Sequence, residues 1–257
     1  MSIASLRLPC LSAGLVCLTF CLPAEAQSTA AHSPTWTVGI ATAWAPSPYH
    51  DYDNKILPLP MVNYDGKSFY VHGLTLGYRL FKLGSDEFSI VASPLVYRFN
   101  NDDTSDPSLR LVSNRNISGL AGLAWQHRAH WGVVQASAQT VFLGHGGGVL
   151  DANYSYPLVV GSLTLIPTAG VAYNTSGVNN YYYGISGSDA QNSGLPFYRA
   201  GGGSLPYVGM IANYRFFHSW QASGGIRFTL LPDAIKDSPM VDTDHMESYF
   251  VSLSYIF

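Results

Sequence analysis

Charge is scarce in this sequence. Only 11% of its 257 residues are Asp, Glu, Lys or Arg, against roughly 25% in an average soluble domain. With so little charge, a large water-facing surface is excluded. Disorder is excluded too, because it requires low hydrophobicity with high net charge, and 47% of this chain is hydrophobic. Thirteen Lys and Arg against sixteen Asp and Glu leave a net charge of -3 with no basic stripe, which argues against a nucleic-acid partner. Beyond residue 26 no run of about 18 apolar residues occurs, so no transmembrane helix is expected. The uncharged stretch 152–188 is interrupted throughout by Ser, Thr, Asn, Gly and Pro. What is abundant is Gly (25), Tyr (17) and Phe (12), residues that favour strands and tight turns.

Cysteine is confined to Cys10, Cys17 and Cys21, all within a segment that reads as a secretory signal. Arg7 supplies the basic start, Leu8 to Leu22 the apolar stretch, and Ala24-Glu25-Ala26 the small-x-small cleavage site. Phe20 is bulky where a lipidated Cys21 would need a small neighbour. The expected organisation is therefore a signal peptide, 1–26, and one domain, 27–257. A mature chain without cysteine is neither a disulfide scaffold nor a thiol enzyme.

The hydropathy period is two. In 220–230, Trp220, Ala222, Gly224, Ile226, Phe228 and Leu230 share one face, and Gln221, Ser223, Gly225, Arg227 and Thr229 the other. The same alternation runs through 73–80, 121–128 and 208–216. A soluble sandwich and an outer-membrane barrel both produce it. The polar faces here are Gly, Ser, Thr, Gln and single Arg, not the Lys and Glu of a water-facing sheet. Trp36, Trp44, Trp131, Trp220 and Tyr214 lie near strand ends, as in interfacial girdles. The chain finishes with Tyr249, Val251, Leu253, Tyr255 and Phe257 at every second position, like the C-terminal signal of outer-membrane barrels. The fold class expected is an all-β transmembrane barrel, closed because an open edge finds no water in lipid.

Short connections (83–85, 129–130, 160–161, 217–219) alternate with long ones (45–67, 100–115, 144–149, 175–204, 232–245), as short periplasmic turns alternate with long outer loops. The strands expected are 36–44, 68–82, 86–99, 116–128, 131–143, 150–159, 162–174, 205–216, 219–231 and 246–257. That makes ten. An extra hairpin at 55–67, with Ile56-Leu57-Pro58-Leu59-Pro60 and an Asp65-Gly66 turn, would make twelve.

The residues that might carry chemistry read mostly as structural. His145 sits in Gly144-His145-Gly146-Gly147-Gly148, a tight loop with no following helix to aim amides at phosphate. His127 and His130 flank a turn and lack further metal ligands nearby in sequence. His218-Ser219 are adjacent, so on a strand they point to opposite faces and make no dyad. Asp233, Asp237, Asp242, Asp244 and His245 form a charged outer loop. Arg79, Arg128, Arg215 and Arg227 share the lumen-facing parity with no carboxylate on the same stretches. Buried charge must be paired or hydrated, so either the lumen is wet and mildly cationic or loop carboxylates fold inward. Asn-x-Ser matches at Asn116, Asn153 and Asn174 are chance matches. No catalytic, cofactor-binding or metal-binding residue is assigned.

The order of local motifs resembles the MipA/OmpV family. It is carried by Leu57-Pro58-Leu59-Pro60, His72-Gly73-Leu74 with Leu76-Gly77-Tyr78, Gly144-His145-Gly146-Gly147, Tyr183-Gly184-Ile185-Ser186 leading to Ser193-Gly194-Leu195-Pro196-Phe197-Tyr198, Asp237-Ser238-Pro239-Met240-Val241, and the terminal Tyr255-Ile256-Phe257. The chain departs from the family's first acidic loop, reading Tyr49-His50-Asp51-Tyr52-Asp53, and its 100–116 loop is rich in Asp and Asn. The resemblance implies a non-enzymatic outer-membrane scaffold. Its partners would be a lytic transglycosylase and a murein synthase, in a setting of outer-membrane lipid and lipopolysaccharide. Short periplasmic turns offer a partner little to hold, since a standard interface needs about 800 Å² per side. The partner would grip either the turns with the arm 27–35, or the barrel wall beside its own lipid anchor, the second being the expectation. The alternatives are a narrow pore tuned by the lumenal arginines and a surface-interaction barrel using loop 175–204.

Overall fold

The computed structural model describes residues 35–54 and 56–257, so the signal reading of 1–26 and most of the arm 27–35 lie outside the described residues. Thirteen antiparallel strands form one sheet that closes on itself. They are β1 (Thr35–Trp44), β2 (Leu57–Asp65), β3 (Phe69–His72), β4 (Thr75–Leu83), β5 (Asp86–Leu95), β6 (Ser118–Ala129), β7 (Gly132–Leu143), β8 (Gly148–Ser155), β9 (Leu158–Val160), β10 (Leu163–Asn174), β11 (Gly203–Phe216), β12 (Trp220–Leu230) and β13 (His245–Ile256). Three short helices lie in the loops: α1 (Ser176–Tyr183), α2 (Gly187–Ser193) and α3 (Asp233–Lys236). Neighbours in sequence pair throughout, and β13 returns to β1 from Thr37↔Ile256 to Trp44↔Tyr249. Strands β8 and β9 both pair with β10, one continuing the other across Tyr156-Pro157. Thirteen strands therefore occupy twelve wall positions.

Twelve corrects the main expectation of ten and matches its alternative. Residues 57–65, placed in a long loop, form β2, paired along its length with β1. The stretch 68–82, taken as one strand, is a hairpin of β3 and β4 whose two-residue turn uses Gly73 at φ +57°. Both errors have a physical origin. Pro58 and Pro60 argue against a central strand, because proline cannot donate to a ladder. A two-residue turn also reverses the in-out parity between His72 and Thr75, and the mixed composition of 69–72 hides that reversal. The stretch 86–99 ends as a strand at Leu95, after which the chain turns into the barrel.

Side chains alternate as the period of two requires. Val38, Ile40, Val251, Leu253 and Tyr255 point outward and are exposed, while Ser248, Ser252 and Ser254 on β13 point inward and are buried. The apolar side of the wall thus faces the surroundings and the polar side the interior, the inverse of a soluble barrel. Aromatic pairs mark both rims. Trp36–Tyr64 and Trp220–Tyr255 lie at the end carrying the short turns, and Trp44–Tyr249 stack at the end carrying the long loops.

The long loops fold inward over their end of the barrel. Phe99, Tyr182, Tyr183, Ile185, Ile235 and Met240 belong to one apolar cluster, each at most 1% exposed. In a wall whose own core-facing side is polar, this cap is the main hydrophobic core of the molecule.

Candidate functional site: a capped, polar lumen

The lumen has an open end and a sealed end. At the short-turn end a cavity of about 1130 Å³ is lined by Arg79, Lys82, Arg128 and Arg215, with Asp65 and Glu87 among its other residues. Four full cations against two carboxylates leave this vestibule mildly cationic. Further in, Tyr70, His72, Gln139, Asp151 and Asn153 line a cavity of about 110 Å³, and Asn153, Tyr207 and Arg227 one of about 40 Å³. Beyond these lies the cap.

The four arginines all line the lumen. The carboxylates that serve Arg79 and Arg227 do not come from the outer loops. Arg79 donates from Nη2 to Asp65 Oδ1 at 2.6 Å and from Nε to Glu87 Oε1 at 2.9 Å, and its Nη1 donates to the Gly66 carbonyl. Lys82 reaches the other oxygen of Glu87 at 3.0 Å. Arg227 lies 3.5 Å from the centroid of the Tyr207 ring, a cation–π contact, and the Tyr207 hydroxyl donates to Asp151. Neighbouring strands β2, β5 and β8 supply these carboxylates. A reading strand by strand misses them because cross-strand proximity is set by register.

The cap is locked by one ion-pair network between two loops. Asp189, on α2, accepts from the Ser113 N–H at 3.0 Å, Ser113 Oγ at 2.7 Å, Ser186 Oγ at 2.8 Å and Arg115 Nη2 at 2.9 Å. The side chains of Arg115 and Asp189 are 10% and 2% exposed. Burial alone would raise the Asp189 pKa, but the bonds from Ser113, Arg115 and Ser186 outweigh it and hold the carboxyl well below the usual range. Arg115 also donates to the Ser113 and Gly184 carbonyls. Tyr182 adds a second tie, its hydroxyl 2.8 Å from Ser118 Oγ and donating to the Asn116 carbonyl.

The other sequence candidates are spread apart. His145 stacks on Tyr181 with ring centroids 3.9 Å apart, and the glycines beside it let its loop pack against the start of α1. His127 bonds to Asp86 and stacks on Trp131 at the turn end. Phe217 and His218, both with positive φ, +46° and +66°, lie with Ser219 in the three-residue turn between the paired Phe216 and Trp220. In the last outer loop Asp233 pairs with Lys236, Asp244 with His245, and Asp242 with His50.

Residues 38–257, which include most of β1 and every later strand, match the family model described as "MltA-interacting protein MipA". The chain belongs to the MipA family. It is 33% identical over 239 residues to the putative outer membrane protein YiaT of Escherichia coli K12, covering 93% of this chain and 96% of that one. It is 32% identical over 225 residues to the MltA-interacting protein of the same organism, covering 86% and 90%. To OmpV of Vibrio cholerae it is 25% identical, covering 88% of each chain. Among solved structures it aligns with the Pseudomonas putida toluene transporter TodX at a TM-score of 0.38 and 8% identity, covering 88% and 90%. This MipA-family chain is an outer-membrane β-barrel; in barrels of this kind short turns face the periplasm and long loops the exterior.

Proposed function

We propose that this MipA-family barrel is a non-enzymatic scaffold of the outer membrane, exported by the signal 1–26, that holds a murein hydrolase at its periplasmic mouth. The observation that carries the reading is the asymmetry of the lumen, with an apolar cap at the outer end and a charged vestibule of about 1130 Å³ open at the periplasmic end. A sealed outer end argues against free passage. A recessed periplasmic mouth adds surface that short turns alone lack, so a partner need not rely on the arm or on the outer wall. The relative named MltA-interacting protein supports a lytic transglycosylase as that partner, with a murein synthase recruited through it.

Crosslinking in intact outer membranes tests this. Capture of a lytic transglycosylase by the wild-type chain should fall severalfold when Lys82 and Arg215 are changed to Glu, and should be unaffected by changes in the cap. Capture that survives those reversals but is lost on removing 27–34 would assign the grip to the arm and refute a vestibule site. A second reading, an anion-preferring gated pore, is favoured by the cationic excess of the vestibule and by a closure made of loops. Conductance separates the two.

A further inference from the structure

One strand outruns its neighbour at the short-turn end. The register of β8 and β9 against β10 is unshifted from Asn174↔Val149 to Leu163↔Val160, so the two form one strand that reaches residue 160. On its other side the pairing with β7 stops at Val133↔Ser155, where the chain turns back through His130-Trp131. Residues 156–160 therefore carry about 13 Å of edge beyond the last β7 pair. Among the described residues none pairs with 157–160 on that side.

Backbone parity decides what this edge offers. The Val141 N–H donates to the Gly147 carbonyl, and the β7–β8 register runs unshifted to Ser155, so odd-numbered residues aim their backbone groups at the β7 side. The Tyr156 N–H donates to the Pro167 carbonyl, so even-numbered residues are engaged by β10. Past Ser155, the groups on the open side are the Pro157 carbonyl and the Val159 N–H and carbonyl. Such an edge is a template for an added strand. Pro157, which has no donor, and the Gly161 turn at φ +61° confine it to one short segment.

The surroundings fit a partner's strand. An unpaired N–H is untenable in hydrocarbon, and this edge runs on past the stacked girdle pair Trp131 and Tyr154. Leu158, Val159 and Val160 are all exposed, Val159 at 71%, so apolar side chains flank the open backbone groups. Pro157 and Val159 also line the vestibule, together with Lys82, Arg128 and Arg215, and the Arg215 N–H donates to the Ser162 carbonyl at the tip of the β9–β10 hairpin. A second copy on this edge would bring two cationic vestibules together, whereas a segment with an acidic residue turned inward meets them with opposite charge. We propose that β9 is the docking edge for an extended segment of the murein hydrolase, apolar at alternate positions and acidic on its lumen-facing side, which joins the sheet through Val159. This rests on the scaffold reading and specifies how the partner is held.

The test compares Val159→Pro with Val159→Thr in the full chain in native outer membranes. Both change the side chain, but only proline removes the N–H, a donor that the barrel's own ladder does not use. In protein that keeps heat-modifiable migration, capture of the lytic transglycosylase should fall about tenfold with proline and stay near wild type with threonine. Wild-type capture by Val159→Pro, or an equal fall in both variants, would overturn the docking edge and leave the scaffold reading standing. No capture by the wild-type chain would overturn both. Should the proline variant fail to fold, a benzophenone amino acid at 159 takes its place. The expected product is an adduct with the transglycosylase, mapped to one extended segment of alternating apolar residues. An adduct with a second copy of this chain, an adduct with lipid alone, or no adduct would overturn the proposal.

Discussion

Replacing Asp189 by Ala removes the centre of the cap network while leaving every barrel strand intact. Arg115, 10% exposed, would lose its carboxylate, and the Ser113 and Ser186 donors would lose their acceptor. Removing one member of a buried ion pair costs about 3–5 kcal/mol. Arg115 keeps the carbonyls of Ser113 and Gly184, so the lower end, about 3 kcal/mol, is expected. At 1.4 kcal/mol per factor of ten this raises the open population of the cap about 100-fold. Amide hydrogen exchange in nanodiscs reads that change directly, because local opening is what exchange measures. Segments 113–117 and 184–193 should exchange about 100-fold faster, and the β10–β11 ladder at the wild-type rate. If those segments exchange as in wild type while the barrel remains folded, the cap is held by its apolar cluster alone and the reasoning fails. Acid gives a second check. A lowered folded pKa means that the stabilisation is complete above the ordinary carboxylate value, about 4, and is lost as pH falls from there toward the folded value. The wild-type cap should therefore loosen only in strong acid, and Asp189→Asn should lack that dependence.

Other consequences follow from the lumen. Arg79→Gln leaves Asp65 and Glu87 without their shared cation, so a loss of about 3 kcal/mol is expected in urea unfolding from bilayers, and an unchanged midpoint would mean that neither carboxylate depends on it. Tyr207→Phe removes both bonds to Asp151 but keeps the ring under Arg227; a loss of about 1–3 kcal/mol is expected, and no change would mean that Asp151 is solvated without the tyrosine. In planar bilayers the wild-type chain should show almost no conductance, and Asp189→Ala frequent openings. Steady wild-type currents would refute the seal and favour the pore.

Some of this site was legible from the residues and some was not. The lumen-facing parity of Arg79, Arg128, Arg215 and Arg227 follows from alternation, and all four line the lumen. Their partners do not follow from it. Asp65 is 14 residues from Arg79, and only the β2–β3–β4 registers bring them together. The Arg115–Asp189 pair spans 74 positions and joins two irregular loops, where no periodicity exists to read. The same prolines that carried the family resemblance at 57–60 obscured the strand they belong to.

The sequence alone determined the class of fold, for a local reason. A period of two gives each strand one apolar and one polar face. The scarcity of Lys and Glu on the polar face, with aromatics at the strand ends, favours the apolar side outward, and closing the sheet in lipid pairs every strand. Tertiary structure decided whatever depends on which strands and loops meet. Register sets the strand count and brings Asp65 and Glu87 to Arg79, because it decides which residues meet across neighbouring strands. Loop packing decided that the outer end is sealed, since burial of Tyr182, Ile235 and Met240 in one cluster requires segments far apart in the chain to converge.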